Sequence, residues 1–185
     1  MLESELMVDS MNGKTEGFHL FIEPVEPLAG ELSSIIQRLA KECGGPIFRP
    51  HVTLLAGIPA GPEGIIISKA RAVADALTPF SLTLGRLDIG DVYFRALYFK
   101  IKETKKMNMY HTLAKQVFEM EDDNIYVPHV SLLYGNYLRA KMEKIIETLA
   151  ISSESFFFVN RIHLYRTNGD VADWRKLEEF ELIAS

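Results

Sequence analysis

The chain has a single cysteine, Cys43, among its 185 residues. That excludes an internal disulfide and a zinc cluster built on thiolates, and makes the cytoplasm the simplest expected compartment. Cys43 falls at an apolar helical position, which suits a packed thiol rather than a nucleophile. Long apolar runs are also missing: none approaches the roughly 18 residues that a membrane span needs. Nor is there an excess of basic residues. Lys and Arg number 20 against 25 Asp and Glu, which disfavours extended contacts along a nucleic acid. A small ligand, or only the end of a nucleic acid, stays compatible as a partner. A sustained heptad pattern is absent as well, so a monomer is expected. With 48% hydrophobic and 24% charged residues, the composition is that of one globular domain able to bury a core.

Residues 1–17 lack the basic and apolar regions of a secretory signal. They carry Glu3, Glu5, Asp9 and Glu16 against Lys14. They are expected to be a flexible N-terminal leader, with residues 18–185 as the single domain.

What the sequence does contain is a repeat. Residues 50 to 57 read Pro-His-Val-Thr-Leu-Leu-Ala-Gly, and residues 128 to 135 read Pro-His-Val-Ser-Leu-Leu-Tyr-Gly. Six of the eight positions are identical, and the Thr-for-Ser exchange keeps the hydroxyl. The surroundings repeat too. A short strand from Gly17 to Ile22 precedes a helix with Leu32, Ile35, Ile36, Leu39 and Cys43 on one face, stopped by Gly44-Gly45-Pro46. Before the second copy, Val92 to Ile101 reads as a strand, and Met109, Leu113, Val117 and Met120 as the apolar face of a helix.

After the first copy, Ser68 is the expected N-cap of a helix burying Ala70, Val73, Ala74 and Leu77. Phe80, Leu82 and Leu84 then alternate as a half-buried strand, and Leu87 to Asp91 reads as a turn. After the second copy, Leu138, Met142, Ile145, Ile146 and Leu149 share a helix face. One strand is expected from Phe156 to Thr167 and another from Trp174 to Ile183. The result is an internally duplicated α+β protein with two sheets.

In a strand, side chains at i and i+2 point the same way. His51 therefore shares a face with Thr53, and His129 with Ser131, while Val52, Leu54, Val130 and Leu132 point into the core. Two imidazoles and two hydroxyls facing each other across a cleft suit phosphodiester chemistry. One imidazole can take a proton from a nucleophile while the other protonates a leaving oxygen. The hydroxyls can donate to non-bridging phosphate oxygens as charge builds there. His-x-Thr and His-x-Ser lack the carboxylates and spacing of the usual metal sites, so no metal or other cofactor is implied. A single His-x-Thr on a strand carries little information, and duplication preserves core residues as readily as catalytic ones.

The two segments, 78 residues apart, resemble the paired H-x-[ST] motifs of the 2H phosphoesterase superfamily. The likeness is closest to its plant- and yeast-type cyclic phosphodiesterase branch, through Gly45 to Thr53 and His129 to Tyr134. The resemblance implies a bilobal duplicated α+β fold, with two antiparallel sheets lining a central cleft and helices outside. It implies that His51 and His129 are general acid and base and that Thr53 and Ser131 hold the phosphate. The substrates it implies are ADP-ribose 1″,2″-cyclic phosphate and nucleoside 2′,3′-cyclic phosphates, opened to phosphomonoesters. Tyr134 and Phe94 match aromatic positions near the ligand. Phe21 stands where the branch has a first-strand tryptophan, which is a departure.

His19, His111 and His163 fit structural roles, with His111 expected at the solvent side of its helix. The run Lys100, Lys102, Lys105 and Lys106 reads as a solvated face. Two other functions remain open from the sequence: a phosphodiesterase or ligase acting on RNA ends or 2′,5′ linkages, and a non-catalytic nucleotide-binding module.

Overall fold

The computed structural model describes residues 13–102, 105–121, 125–149 and 154–183. Its strands are β1 (Phe18–Ile22), β2 (Val52–Ile58), β3 (Phe80–Ile89), β4 (Leu97–Ile101), β5 (His129–Leu133), β6 (Phe156–Val159), β7 (Arg161–Arg166) and β8 (Arg175–Glu181). The helices are α1 (Leu28–Cys43), α2 (Glu63–Ala76), α3 (Lys105–Phe118) and α4 (Arg139–Ile146), with short 3-10 turns at Tyr93–Arg95 and Val171–Asp173.

The two expected sheets are one. Eight strands run in the order β6-β3-β4-β5-β2-β1-β7-β8, with every pairing antiparallel. The cause is direct pairing of the two motif strands, β2 and β5, at Val52 and Val130. The expected duplication survives in this arrangement. Four strands lie on either side of the seam, β2-β1-β7-β8 mirroring β5-β4-β3-β6, so both described ends of the chain belong to the β2 half.

The seam settles which side chains share a face, because residues paired across antiparallel strands point the same way. Val52 and Val130 are fully buried in the core. The register continued by one residue in each direction sets His51 across from Ser131 and Thr53 across from His129, all four on the opposite face. Phe21 pairs with Thr53, and Tyr98 with Ser131, which extends that face on both sides.

Helices cover the apolar face in an exchanged manner. α1, from the first half, packs on β5, while α3, from the second half, packs on β2. α2 lies on β7 and β8, and α4 on β3. α1 buries Leu28, Leu32, Ile36 and Leu39, each contributing about 1.5–3 kcal/mol relative to exposure. Gly44 closes it, its N–H donating to the Ala40 carbonyl. The repeated glycines that end the motifs, Gly57 and Gly135, have φ of 67° and 138°, a region costly for any residue with a Cβ.

Several local expectations are corrected. Ser68 is inside α2, which begins five residues earlier; its hydroxyl donates to the Gly64 carbonyl, and Ile66 joins the buried face. β3 runs through Leu87 to Ile89, where a turn was expected, because these residues pair with Leu97–Phe99. Val92–Arg95 is therefore outside β4. The expected strand from Phe156 to Thr167 breaks at Asn160, so that β6 pairs with β3 and β7 with β1 and β8. In α3 the buried residues are Met107, Tyr110, Ala114 and Phe118, while Met109 is exposed. Most of the expected leader lies outside the described residues. At its end, Thr15 exchanges two backbone hydrogen bonds with Gly169, and Gly17 N–H donates to the Asn168 side chain.

Candidate active site

The polar face of the sheet forms a cleft of about 360 Å³ over the seam, lined by both motifs and by an aromatic wall. The size lies at the small end of the range for small-molecule sites. His51, Thr53, His129, Ser131, Tyr134, Phe94 and Phe21, the residues singled out from the sequence, all line it.

The two histidines are held in the same way. His51 Nδ1 lies 2.7 Å from the carbonyl oxygen of Arg49, and His129 Nδ1 lies 2.6 Å from that of Val127. A carbonyl only accepts, so each Nδ1 carries the proton and each Nε2 keeps its lone pair. The repeated proline between carbonyl and histidine has a physical role here. It biases the preceding residue to extended backbone, which suits the carbonyl two positions before the histidine to meet the ring. Burial lowers both imidazoles to about 4. The Arg49 carbonyl opposes the shift at His51, with smaller opposed contributions from His129 and Glu23; the Val127 carbonyl opposes it at His129, where nearby Arg95 lowers it further. Both are neutral at pH 7 in the free protein.

The hydroxyls differ. Ser131 Oγ is buried and donates to the Phe94 carbonyl at 2.8 Å. Thr53 Oγ1 has no hydrogen bond among the described residues. The Thr53 and Leu54 carbonyls accept from side chains of the second half: Tyr126 Oη donates to Thr53 at 2.7 Å, and His111 Nδ1 to Leu54 at 2.8 Å. The rings of His111 and Tyr126 stack at 3.9 Å. His111 thus braces β2 and lines the cleft instead of simply meeting solvent.

Phe21 stacks on the His51 ring at 3.8 Å, and the Tyr134 hydroxyl stands 3.5 Å from His51 Nε2. Burial pushes the Tyr134 and Tyr126 hydroxyls well above their ordinary range. His19 also lines the cleft, 2.6 Å from Thr167 Oγ1, and is lowered to about 3 by burial and then by His51. His163 is buried in β7 and is not among the cleft residues.

Sequence reasoning missed Trp174, Tyr126 and the place of Arg95 in the cleft lining. Trp174 stands 5.9 Å from Phe21 and 6.0 Å from Phe94, so an indole does occupy this wall although β1 carries phenylalanine. The only signal was that it is the sole tryptophan. The lysine run contributes nothing to the cleft lining; Lys100 pairs with Asp88 at 2.6 Å. Among the described residues, no group of three or more His, Cys, Asp or Glu side chains is arranged to hold a metal ion, and no helix is long and apolar enough to cross a membrane.

Two imidazoles and two hydroxyls on one face of a duplicated antiparallel α+β sheet define a 2H phosphoesterase. Residues 17–182 match the family described as cyclic phosphodiesterase-like protein, and the chain belongs to that family of phosphodiesterases. The cyclic phosphodiesterase of Arabidopsis thaliana is 26% identical over 177 residues, covering 92% of this chain and 94% of that protein. E. coli LigT complexed with 3′-AMP superposes with a TM-score of 0.59 at 15% identity, over 90% of this chain and 98% of that one. Usb1 of Kluyveromyces marxianus does so at 0.51 and 10%, over 86% and 96%. The last two show a shared fold.

Proposed function

We propose that the protein hydrolyses small cyclic phosphates, ADP-ribose 1″,2″-cyclic phosphate and nucleoside 2′,3′-cyclic phosphates, to phosphomonoesters, by acid–base catalysis between His51 and His129. The observation that carries this reading is the identical tautomer on both rings: each Nδ1–H is held by a carbonyl, leaving two Nε2 atoms for proton transfer within one cleft. One Nε2 accepts the proton of a water whose oxygen attacks phosphorus in line. The opposite P–O bond breaks, and the second imidazole, entering protonated, gives its proton to the departing sugar oxygen. One ring bond is exchanged for one water, and the product is a monoester. The reaction needs a proton that the free pair lacks at pH 7, and an anionic phosphate between the rings favours its uptake. Thr53 offers an uncommitted hydroxyl to the phosphate, and Ser131 a second one once it leaves the Phe94 carbonyl. Phe21, Phe94, Tyr134 and Trp174 form the wall for sugar and base.

The test is turnover of both substrate types in the presence of EDTA, with separation of the isomeric monoesters. His51→Ala and His129→Ala are expected to lower kcat by ~10²–10⁴-fold each while keeping product binding. Either variant turning over at the wild-type rate removes that histidine from the mechanism, and no turnover of any cyclic phosphate by the wild type refutes the reading.

A further inference from the structure

The duplicated motifs make the cleft look symmetric, but its supply of hydrogen-bond donors is not. On the first side, the Thr53 hydroxyl is uncommitted among the described residues. On the second side, the Ser131 hydroxyl is committed to the Phe94 carbonyl. The residue after Phe94 is Arg95, the last of the 3-10 turn, and it lines the same cleft.

Arg95 is in an unusual state. Its Nε is buried and has no hydrogen-bond partner, and none of the ion pairs formed by the described residues includes it. Its guanidinium lies 5.4 Å from the centre of the Tyr98 ring. Tyr98 pairs with Ser131 across β4 and β5 and meets the His129 ring edge-on at 5.3 Å. Tyr98 thus contacts both the guanidinium and the His129 ring, and the Arg95 charge is near enough to act on His129. Arg95 as a whole is half-buried, so the cost falls on its buried Nε–H, which is destabilising unless something in the functioning protein satisfies it. Guanidinium matches the oxygens of a phosphate in geometry and charge.

We infer that Arg95 is a catalytic residue of this site: its guanidinium binds a non-bridging phosphate oxygen, adding a charged donor to the Thr53 hydroxyl while the Ser131 hydroxyl is held by the Phe94 carbonyl. This rests on the phosphoryl chemistry proposed above, and gives it a fixed positive charge where negative charge grows as water adds to phosphorus. Arg95 lines the cleft together with both motifs, so its effect is expected on the reacting group in every substrate, whatever the base.

The experiment compares wild type with Arg95→Met, Arg95→Lys and Arg95→Ala, using a nucleoside 2′,3′-cyclic phosphate and, separately, sulfate as a non-reacting anion. Arg95→Met is expected to lower kcat by ~10²-fold or more, the scale for loss of one charge-stabilising donor. Arg95→Lys is expected to recover only part, since a point charge does not replace the fork. Added guanidinium ion is expected to raise turnover by Arg95→Ala and not by wild type, which a purely structural role would not produce. Sulfate binding is expected to weaken at least tenfold in Arg95→Met. A kcat within threefold of wild type in Arg95→Met, or a loss that guanidinium leaves untouched together with unchanged sulfate affinity, overturns the assignment. If the wild type turns over no cyclic phosphate, the proposed reaction fails, and the sulfate comparison alone still decides whether Arg95 is the anion clamp.

Discussion

The paired imidazoles predict that anion binding is coupled to proton uptake, and the size of the coupling follows from the free protein. His51 and His129 are each lowered from 6.5 to about 4, chiefly by burial. At pH 7 each is then protonated about one time in 10³. A doubly charged anion between them favours imidazolium, so the complex holds more protons than the free protein and affinity must rise as pH falls. If one histidine is protonated in the complex, the gain is about tenfold per pH unit, so about 100-fold from pH 7 to pH 5, or about 2.7 kcal/mol. Sulfate is the right probe because it does not titrate in this window, and Tyr126 and Tyr134 are pushed up by burial and stay neutral. The dissociation constant is read by titration at constant ionic strength at pH 5, 6 and 7, followed through the histidine ring resonances. The resonances identify which ring takes the proton, and replacing that histidine by asparagine is expected to flatten the dependence. A constant that changes less than threefold between pH 7 and pH 5 in the wild type refutes the claim that the free pair is neutral and the bound pair is not.

Three other outcomes are expected. His19, lowered from 6.5 to about 3 by burial and by His51, favours folding fully above pH 6.5, and that contribution is lost as pH falls toward about 3. By pH 5 the loss reaches about 2 kcal/mol, and His19→Gln is expected to reduce the pH dependence of the urea midpoint. Tyr126→Phe removes the hydroxyl bound to the Thr53 carbonyl and is expected to cost about 1–3 kcal/mol in denaturant unfolding; a change below 0.5 kcal/mol, on the scale of an ordinary surface substitution, contradicts the bracing role. Phe21→Ala deletes the ring stacked on His51 at 3.8 Å, and is expected to lower stability by about 3–5 kcal/mol, with an unchanged melting temperature as the refuting result.

What could be read in the sequence was what local chemistry dictates. The octapeptide repeat named His51, Thr53, His129 and Ser131, and the period-2 rule put each pair on one face. The helical period gave the α1 face, and Gly44 its end. Where two readings had similar local merit, tertiary structure chose. α3 carries two interleaved apolar stripes, and the buried one includes Tyr110, whose hydroxyl reaches Thr78. The segment expected as one strand over Phe156–Thr167 holds no glycine or proline, and its break at Asn160 is set by two different partners, β3 and β1, which no local pattern encodes. Sheet number was hidden for the same reason, since a single antiparallel pairing at Val52 and Val130 joins halves that each look complete. Trp174 reaches the cleft from a segment distant in sequence from both motifs, and Tyr126, three residues before His129, braces the strand of the other motif.

The exchanged helices have a consequence for how the protein can fail. The strand that carries His51 is covered by a helix of the second half, and the strand that carries His129 by a helix of the first. Neither half, taken alone, can bury its own motif strand against its full complement of helices, and neither holds more than one of the two imidazoles. With both imidazoles taking part as proposed, partial unfolding leaves no slower enzyme behind, because loosening either half uncovers the other half's histidine strand. Catalytic turnover is a gauge of the whole fold: in a population of molecules under stress, lost activity counts molecules that have opened, and not molecules that have been dulled.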